Sequence, residues 1–434
     1  MRVVDLIQRK RDAGELIREE VDYFLRQFLA GAIPDAQAAA LLMAIYFHGL
    51  SDQELLDWSE SLLSLSSVLD LSELAGPKIG KQSTGGVGDK TSLIVGPLVA
   101  AAGVSVPMIV GRGLAYTGGT LDKVQSIPGF NARLNGQEFK AVLGSAGLAI
   151  TGPTDELAPA DRKLSALRDA TATVGSVPLI ASSVLSKKLA EGTDGLVLDV
   201  KTGSGALVGK ATDARRLAQS LVNVAKRKGK KVLCLISDMD QPLGNAVGNS
   251  LEVMEAIETM RGAGPTDLVE LSLELAARMV CLAHPDRTLE SAKEQVFQLL
   301  NEGKALEKFR RWVEIQGGNP QVVDSFELFP TASADFVVAS PRSGYISRIT
   351  ADDIGQAVAL LSGRSEGMDA KIDAGVGIVL EHKVGDRIQV GETLCTIYYN
   401  ADTHLEEATQ TVEDAFHISA TAPEARPLIY EVIQ

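Results

Sequence analysis

Apolar positions follow three regimes along the chain. From Val3 to about Ser66 they recur at helical spacing, as in LIREEVDYFLRQFLAGAIPDAQAAALLMAIYFHGLSDQELLDWSESLL, with Pro34 and Ser51 marking helix starts. This predicts a helical lobe. Between about residues 75 and 330, strand-like runs such as VPMIV (106–110), GLVLDV (195–200) and KVLCLI (231–236) alternate with Ala- and Leu-rich helical stretches. That is the pattern of βαβ units around a parallel sheet. After Pro330 the pattern becomes SGYISRI and DAGVGIVLEHKVGDRIQVGETLCTIYY, alternating strands separated by KVGDRI and QVGE turns.

The expected fold class is α/β: a helical lobe, a large α/β lobe with a central, mainly parallel sheet, and a C-terminal α+β domain. The boundaries expected are 1–66 for the helical lobe, joined in space by about 160–190, then 67–335 and 336–434.

Composition narrows the partners. The chain has 434 residues, 45% of them hydrophobic and 23% charged, which suits a globular protein of two or three domains. A formal charge of -14 repels phosphate backbones and anionic membranes, so neither a nucleic acid nor a membrane is expected as a partner. Small molecules fit better. Cys234, Cys281 and Cys395 lie far apart without CxxC spacing, against disulfides and zinc. The N-terminus MRVVDLIQRKRDAGELIREE is charged from its second residue, which predicts a cytoplasmic protein.

Candidate chemistry sits in two glycine-rich loops of the central region, because glycine lets backbone amides approach an anion closely. KQSTGGVGDKTS (81–92) resembles a nucleotide-binding loop only superficially, since Asp89 precedes Lys90 where that motif needs glycine. VGRGLAYTGGTLDK has Tyr116 where a dinucleotide fingerprint wants its third glycine. Lys81, Ser83, Ser92 and Thr120 can still converge on one small oxyanion. Taken singly, each loop also reads as a tight turn.

KQSTGGVGDK, GRGLAYTGGTLDKVQSIPGF, APADRKLSALRDATATVGSVPLIASSVLSKKLAEG and GLVLDVKTGSGAL resemble, in matching order, the thymidine and pyrimidine nucleoside phosphorylase family. The likeness spans essentially the whole chain. It implies a homodimer joined through the helical lobe, no required cofactor, and reversible phosphorolysis. In that reaction inorganic phosphate, a co-substrate, attacks the anomeric carbon of a nucleoside and the base leaves. The resemblance puts Lys81, Ser83, Ser92 and Thr120 at phosphate positions, and Arg168, Ser183 and Lys187 at base-recognition positions. Arg168 and Lys187 are the expected catalytic groups, with Gln82 beside them.

The residues support the second set independently. Ser183 and Lys187 are four apart on one helix face, and two cations and a hydroxyl suit an imide edge, O=C–NH–C=O. The competing reading gives Lys187 and Lys188 a solvated face and pairs Arg168 with Asp169 or Glu191.

Departures from the family pattern cluster around the base. The family's KHSTGG has become KQSTGG, so Gln82 replaces the usual proton donor, and its amide can only hydrogen-bond a base carbonyl. SGRG has become VGRG and GHTGGT has become AYTGGT, putting Val110 for a phosphate-binding serine and Tyr116 for a histidine. Ser165 and Leu207 stand where a tyrosine and a phenylalanine usually border the base. An enlarged pocket is therefore expected, suited to an oxo base such as xanthine that leaves readily as an anion. His48, His284, His382, His404 and His417 lie outside these motifs. A binding or regulatory protein on the same fold is the alternative, and a phosphoribosyltransferase ranks third.

QPLGNAVGNSLEVMEAIE resembles a stretch that in some family members holds a potassium ion through backbone carbonyls and a glutamate. This implies an ion at Leu243, Ala246 and Glu255, with Gly88 from the first loop. The same residues also read as a helix start capped by Asn249, with Glu255 exposed.

Overall fold

The computed structural model describes residues 1–364 and 372–434. Four helices open the chain, Val3–Arg11, Arg18–Leu29, Asp35–His48 and Asp52–Ser64, two of them starting just after Pro34 and Ser51. Ser51 caps its helix by accepting from the Glu54 amide at 3.3 Å, and the Glu54 carboxylate accepts from the Ser51 amide at 2.8 Å. Buried Lys10 pairs with the same carboxylate at 2.8 Å, fixing the first helix to the fourth. Two later helices, Pro159–Ala170 and Val177–Ala190, complete this lobe, and Leu164 and Leu179 share its core with Phe24, Phe28 and Trp58.

The central sheet pairs Ile79–Ser83, Gly195–Thr202 and Lys231–Asp238 in parallel. Gly195–Thr202 is buried along its whole length, which explains its nearly unbroken apolar run. Val106–Ile109 and Leu148–Thr151 form a separate parallel pair. The strand ends deliver the glycine-rich loops to one side, facing the second pair of lobe helices, and the cleft lies between.

The C-terminal part holds a three-stranded sheet and a four-stranded sheet, with helices Ala351–Leu361 and Leu405–Ala415 packed together. It is not a self-contained block after residue 336. Its last strand, Ile429–Ile433, returns to pair antiparallel with Lys231–Asp238, while Ala246–Val247 crosses over to pair with Gly377–Leu380. The terminal strand covers an otherwise open sheet edge, and such long-range pairing leaves no local pattern.

Candidate active site

The phosphate wall grows from the strand Ile79–Ser83 and the loop after it. Lys81 points back beneath the loop, only 1% exposed, and its ammonium donates to Thr91 Oγ1 at 2.7 Å and Ser92 Oγ at 3.0 Å. Ser83, Ser92 and Thr120 line the cleft; Lys81 stands behind them and does not. A buried ammonium donating to a hydroxyl oxygen turns that hydroxyl's proton outward, toward an incoming anion. The Asp89 carboxylate accepts from Thr91 Oγ1 at 2.6 Å and from the Thr91 amide at 3.2 Å. Burial alone would raise the Asp89 pKa, but Lys81, Lys201 and Lys123 hold it well below the usual carboxylate range.

The second loop is clamped to the first. Lys123 Nζ donates to Asp89 O at 2.7 Å and Gly118 O at 3.3 Å, and pairs with Glu252 at 2.7 Å. Within that loop, the VGRG and TGGT turns lie backbone to backbone. A Cβ on Gly113 would come within 2.1 Å of Thr117 O, and one on Gly119 within 2.1 Å of Gly113 N, so only glycine fits.

The base wall comes from the two lobe helices. Arg168 is 3% exposed and donates to Val174 O at 2.8 Å and Leu179 O at 3.1 Å, while its Nε has no partner among the described residues. Burial lowers its pKa to about 10, so it remains a cation at neutral pH. Lys187 Nζ donates to Asp161 Oδ2 at 2.6 Å and Ser183 Oγ at 2.7 Å. Neither lysine forms a solvated face: Lys188 is fully buried and pairs with Glu191. Ser165 and Leu207 line the same cleft, which encloses about 240 Å³.

Two expectations change here. Tyr116, expected at the base, does not line the cleft; it turns into the C-terminal core and donates from its hydroxyl to Ala206 O at 3.0 Å and Ser204 O at 3.2 Å. Its ring packs against an apolar interface that a cleft position would not offer. Gln82 lines the cleft, but its Nε2 donates to Ser83 O at 2.7 Å, so one of its two amide N–H groups is engaged by the chain's own backbone. Its second N–H remains for a base carbonyl, and its buried Oε1 is an acceptor without a partner among the described residues.

Leu243, Ala246 and Glu255 do converge, but on the ammonium of Lys90. Gly88, at φ +77°, packs against the same segment, where a Cβ would lie 2.6 Å from Leu243 O. Sequence reasoning also missed the cleft's other charges. Among the described residues, six basic side chains line it (Arg112, Arg133, Arg162, Arg168, Lys187 and Arg364) against three acidic ones, with Arg112 and Arg364 paired to Asp122, Arg162 to Asp155 and Lys187 to Asp161. Arg112 was visible in the GRGL loop and Asp161 in APADRK, but nothing in their spacing announced a shared cleft. None of the five histidines lines it.

Three family models match in order: "Glycosyl transferase family, helical bundle domain" over residues 4–66, "Glycosyl transferase family, a/b domain" over 75–306, and "Pyrimidine nucleoside phosphorylase C-terminal domain" over 345–419. The chain is 44% identical over 433 residues to the pyrimidine-nucleoside phosphorylase of Geobacillus stearothermophilus, covering 100% of both chains. The chain belongs to the pyrimidine nucleoside phosphorylase family. Its identity to the family member from Bacillus subtilis (strain 168) is 45% over 433 residues, again covering 100% of both. As a member, it is a pentosyltransferase of the nucleoside phosphorylase type. The crystal structure of anthranilate phosphoribosyltransferase from Thermus thermophilus shares the family's fold, with a TM-score of 0.58 and 18% identity over 72% of this chain and 99% of that one.

Proposed function

We propose that this protein catalyses reversible phosphorolysis of a nucleoside whose base is a larger oxo base than uracil or thymine, with xanthosine the specific candidate. Phosphate binds against the Ser83, Ser92 and Thr120 hydroxyls, backed by the Lys81 ammonium. One phosphate oxygen attacks the anomeric carbon, the C–N bond breaks, and its electron pair departs with the base. Positive charge on the sugar then faces the bound phosphate, and negative charge on the base faces Arg168 and Lys187. The products are free base and a (deoxy)ribose 1-phosphate.

The observation that carries the choice of base is that Ser165 and Leu207 line the cleft where the family pattern has two aromatic rings. Arg168 and Gln82 line the same cleft as Ser165 and Leu207, side chains smaller than the tyrosine and phenylalanine of the family pattern. A bicyclic base fills the space that two rings leave, and packing is lost for a smaller one. With Gln82 in place of the family's proton-donating histidine, a leaving group that is stable as an anion is favoured. Xanthine is such a base, and the Arg168 and Lys187 cations that line the cleft favour its charge. The working unit in this reading is a homodimer joined through the helical lobe, where Phe47 is 73% exposed beside Tyr46; light scattering showing two chains per particle checks it.

The test is to incubate the pure protein with inorganic phosphate and, separately, thymidine, uridine and xanthosine. The expected result is phosphate-dependent release of free base with equal sugar 1-phosphate. Nucleoside binding without turnover of any of the three would instead assign the alternative, a binding or regulatory protein.

A further inference from the structure

Lys90 belongs to the phosphate loop by sequence, yet it does not line the cleft. It immediately precedes the helix Thr91–Ala101, is 1% exposed, and sends its side chain the other way. Its Nζ donates to Ala246 O at 2.7 Å, to Leu243 O at 3.0 Å and to the Glu255 carboxylate. These two backbone carbonyls and the carboxylate are three of the four groups that the sequence resemblance implies for potassium, Gly88 being the fourth. An ammonium is close to potassium in size and carries the same charge. The residues therefore do not fit a metal ion, because this chain's own side chain fills the position.

Charge balance points the same way. A second ammonium, that of Lys383, reaches the same segment, donating to Gly244 O at 2.6 Å, to Pro242 O, and to Asp267 Oδ2 at 3.1 Å. Glu255 and Asp267 neutralise the two lysines. Glu255 has little left to give, since its other oxygen accepts from the Asn245 amide at 2.9 Å and the Ala246 amide at 3.1 Å. An added ion would place an uncompensated charge in a buried site.

We infer that Lys90 is a tethered cation that takes the place of a bound potassium ion, so that this protein positions its phosphate loop without any metal. Its backbone leads directly into Thr91 and Ser92, which meet the Lys81 ammonium. Its side chain grips the segment whose Ala246–Val247 strand pairs with Ile378 and Val379 of the C-terminal part. Lys90 is thus a positioning residue that couples the phosphate hydroxyls to the distant domain, and a tether cannot be lost by dilution as an ion can.

The experiment compares melting temperature in potassium chloride and in tetramethylammonium chloride at equal ionic strength, a readout independent of which nucleoside is used. The unaltered protein should differ by less than about 1 °C between the two salts. Lys90→Thr, which opens the position, should melt lower in tetramethylammonium and regain about 3 °C or more as potassium is titrated in. Its phosphate KM should rise roughly tenfold in tetramethylammonium and fall back with potassium, one tenfold step being ~1.4 kcal/mol of binding. Lys90→Met keeps bulk without charge and should be destabilised in both salts, with no rescue. Saturable stabilisation of the unaltered protein by potassium would overturn the inference, as would a Lys90→Thr protein indifferent to potassium. If that variant fails to fold, the unaltered protein's salt comparison still decides.

Discussion

The two walls of the cleft are built to different standards of completion. On the phosphate wall each charged side chain has a partner: Lys81 holds Thr91 and Ser92, Asp89 holds Thr91, Lys123 ties Asp89 to Gly118, and Lys90 is seated on Leu243, Ala246 and Glu255. On the base wall Lys187 is paired with Asp161, but Arg168 Nε is buried without a partner among the described residues, as is Oε1 of Gln82, which reaches the cleft from the strand Ile79–Ser83. A site completed in advance stabilises one small ion of fixed shape, and costs no reorganisation when that ion arrives. A site with polar atoms in reserve takes its final form from a ligand, and that is where family members can diverge. Of the five departures from the family pattern, Ser165 and Leu207 line the cleft where the family has rings beside the base, Gln82 lines it from the strand that also carries Lys81 and Ser83, Val110 is the one change in a phosphate donor, and Tyr116 has left the cleft altogether.

The sharpest break of the phosphate wall is Lys81→Ala. Phosphorolysis should fall below detection and phosphate affinity should weaken by about 1.5–3 kcal/mol, the scale of a charge-assisted hydrogen bond, as read by calorimetric titration. Full activity at low phosphate would place the anion elsewhere. On the base wall, Ser165→Tyr restores a ring and should shift the xanthosine-to-uridine preference toward uridine roughly tenfold, the equivalent of ~1.4 kcal/mol, measured as a ratio of kcat/KM. A variant that loses both substrates equally would show the ring to be blocking the cleft rather than packing on a base. The smallest effect belongs to Val110→Ser. A restored hydroxyl at the phosphate wall should lower the phosphate KM about two- to fivefold, or ~0.5–1 kcal/mol, with kcat little changed.

Much of this was legible in the chain because burial writes itself into short windows. The run GLVLDVKT reads as an inner strand, and the glycine-rich segments at strand ends read as close-approach loops or tight turns, of which the packing of Gly113 against Gly119 bears out the first. What could not be read depends on contacts between distant residues. Lys90 looks like a phosphate lysine until Leu243 and Glu255, 153 and 165 positions away, are seen around it. Tyr116 keeps its place in the loop, but the carbonyls that draw its hydroxyl aside lie 88 and 90 positions away. Lys81 alternates correctly along its strand, and its role behind the hydroxyls rather than in the cleft follows only once the helix Thr91–Ala101 is packed over it. The strand Ile429–Ile433 shows the same limit, since its short pattern says strand but not which sheet it joins.

The central claim is that the base wall is set for a larger oxo base while the phosphate wall remains that of the family. One measurement addresses it most directly: kcat/KM for xanthosine and for uridine, taken on the same preparation at saturating phosphate and neutral pH. The account predicts a ratio of at least about tenfold in favour of xanthosine, corresponding to ~1.4 kcal/mol of transition-state stabilisation. A ratio of one or less, with uridine or thymidine cleaved at least as efficiently, would contradict it.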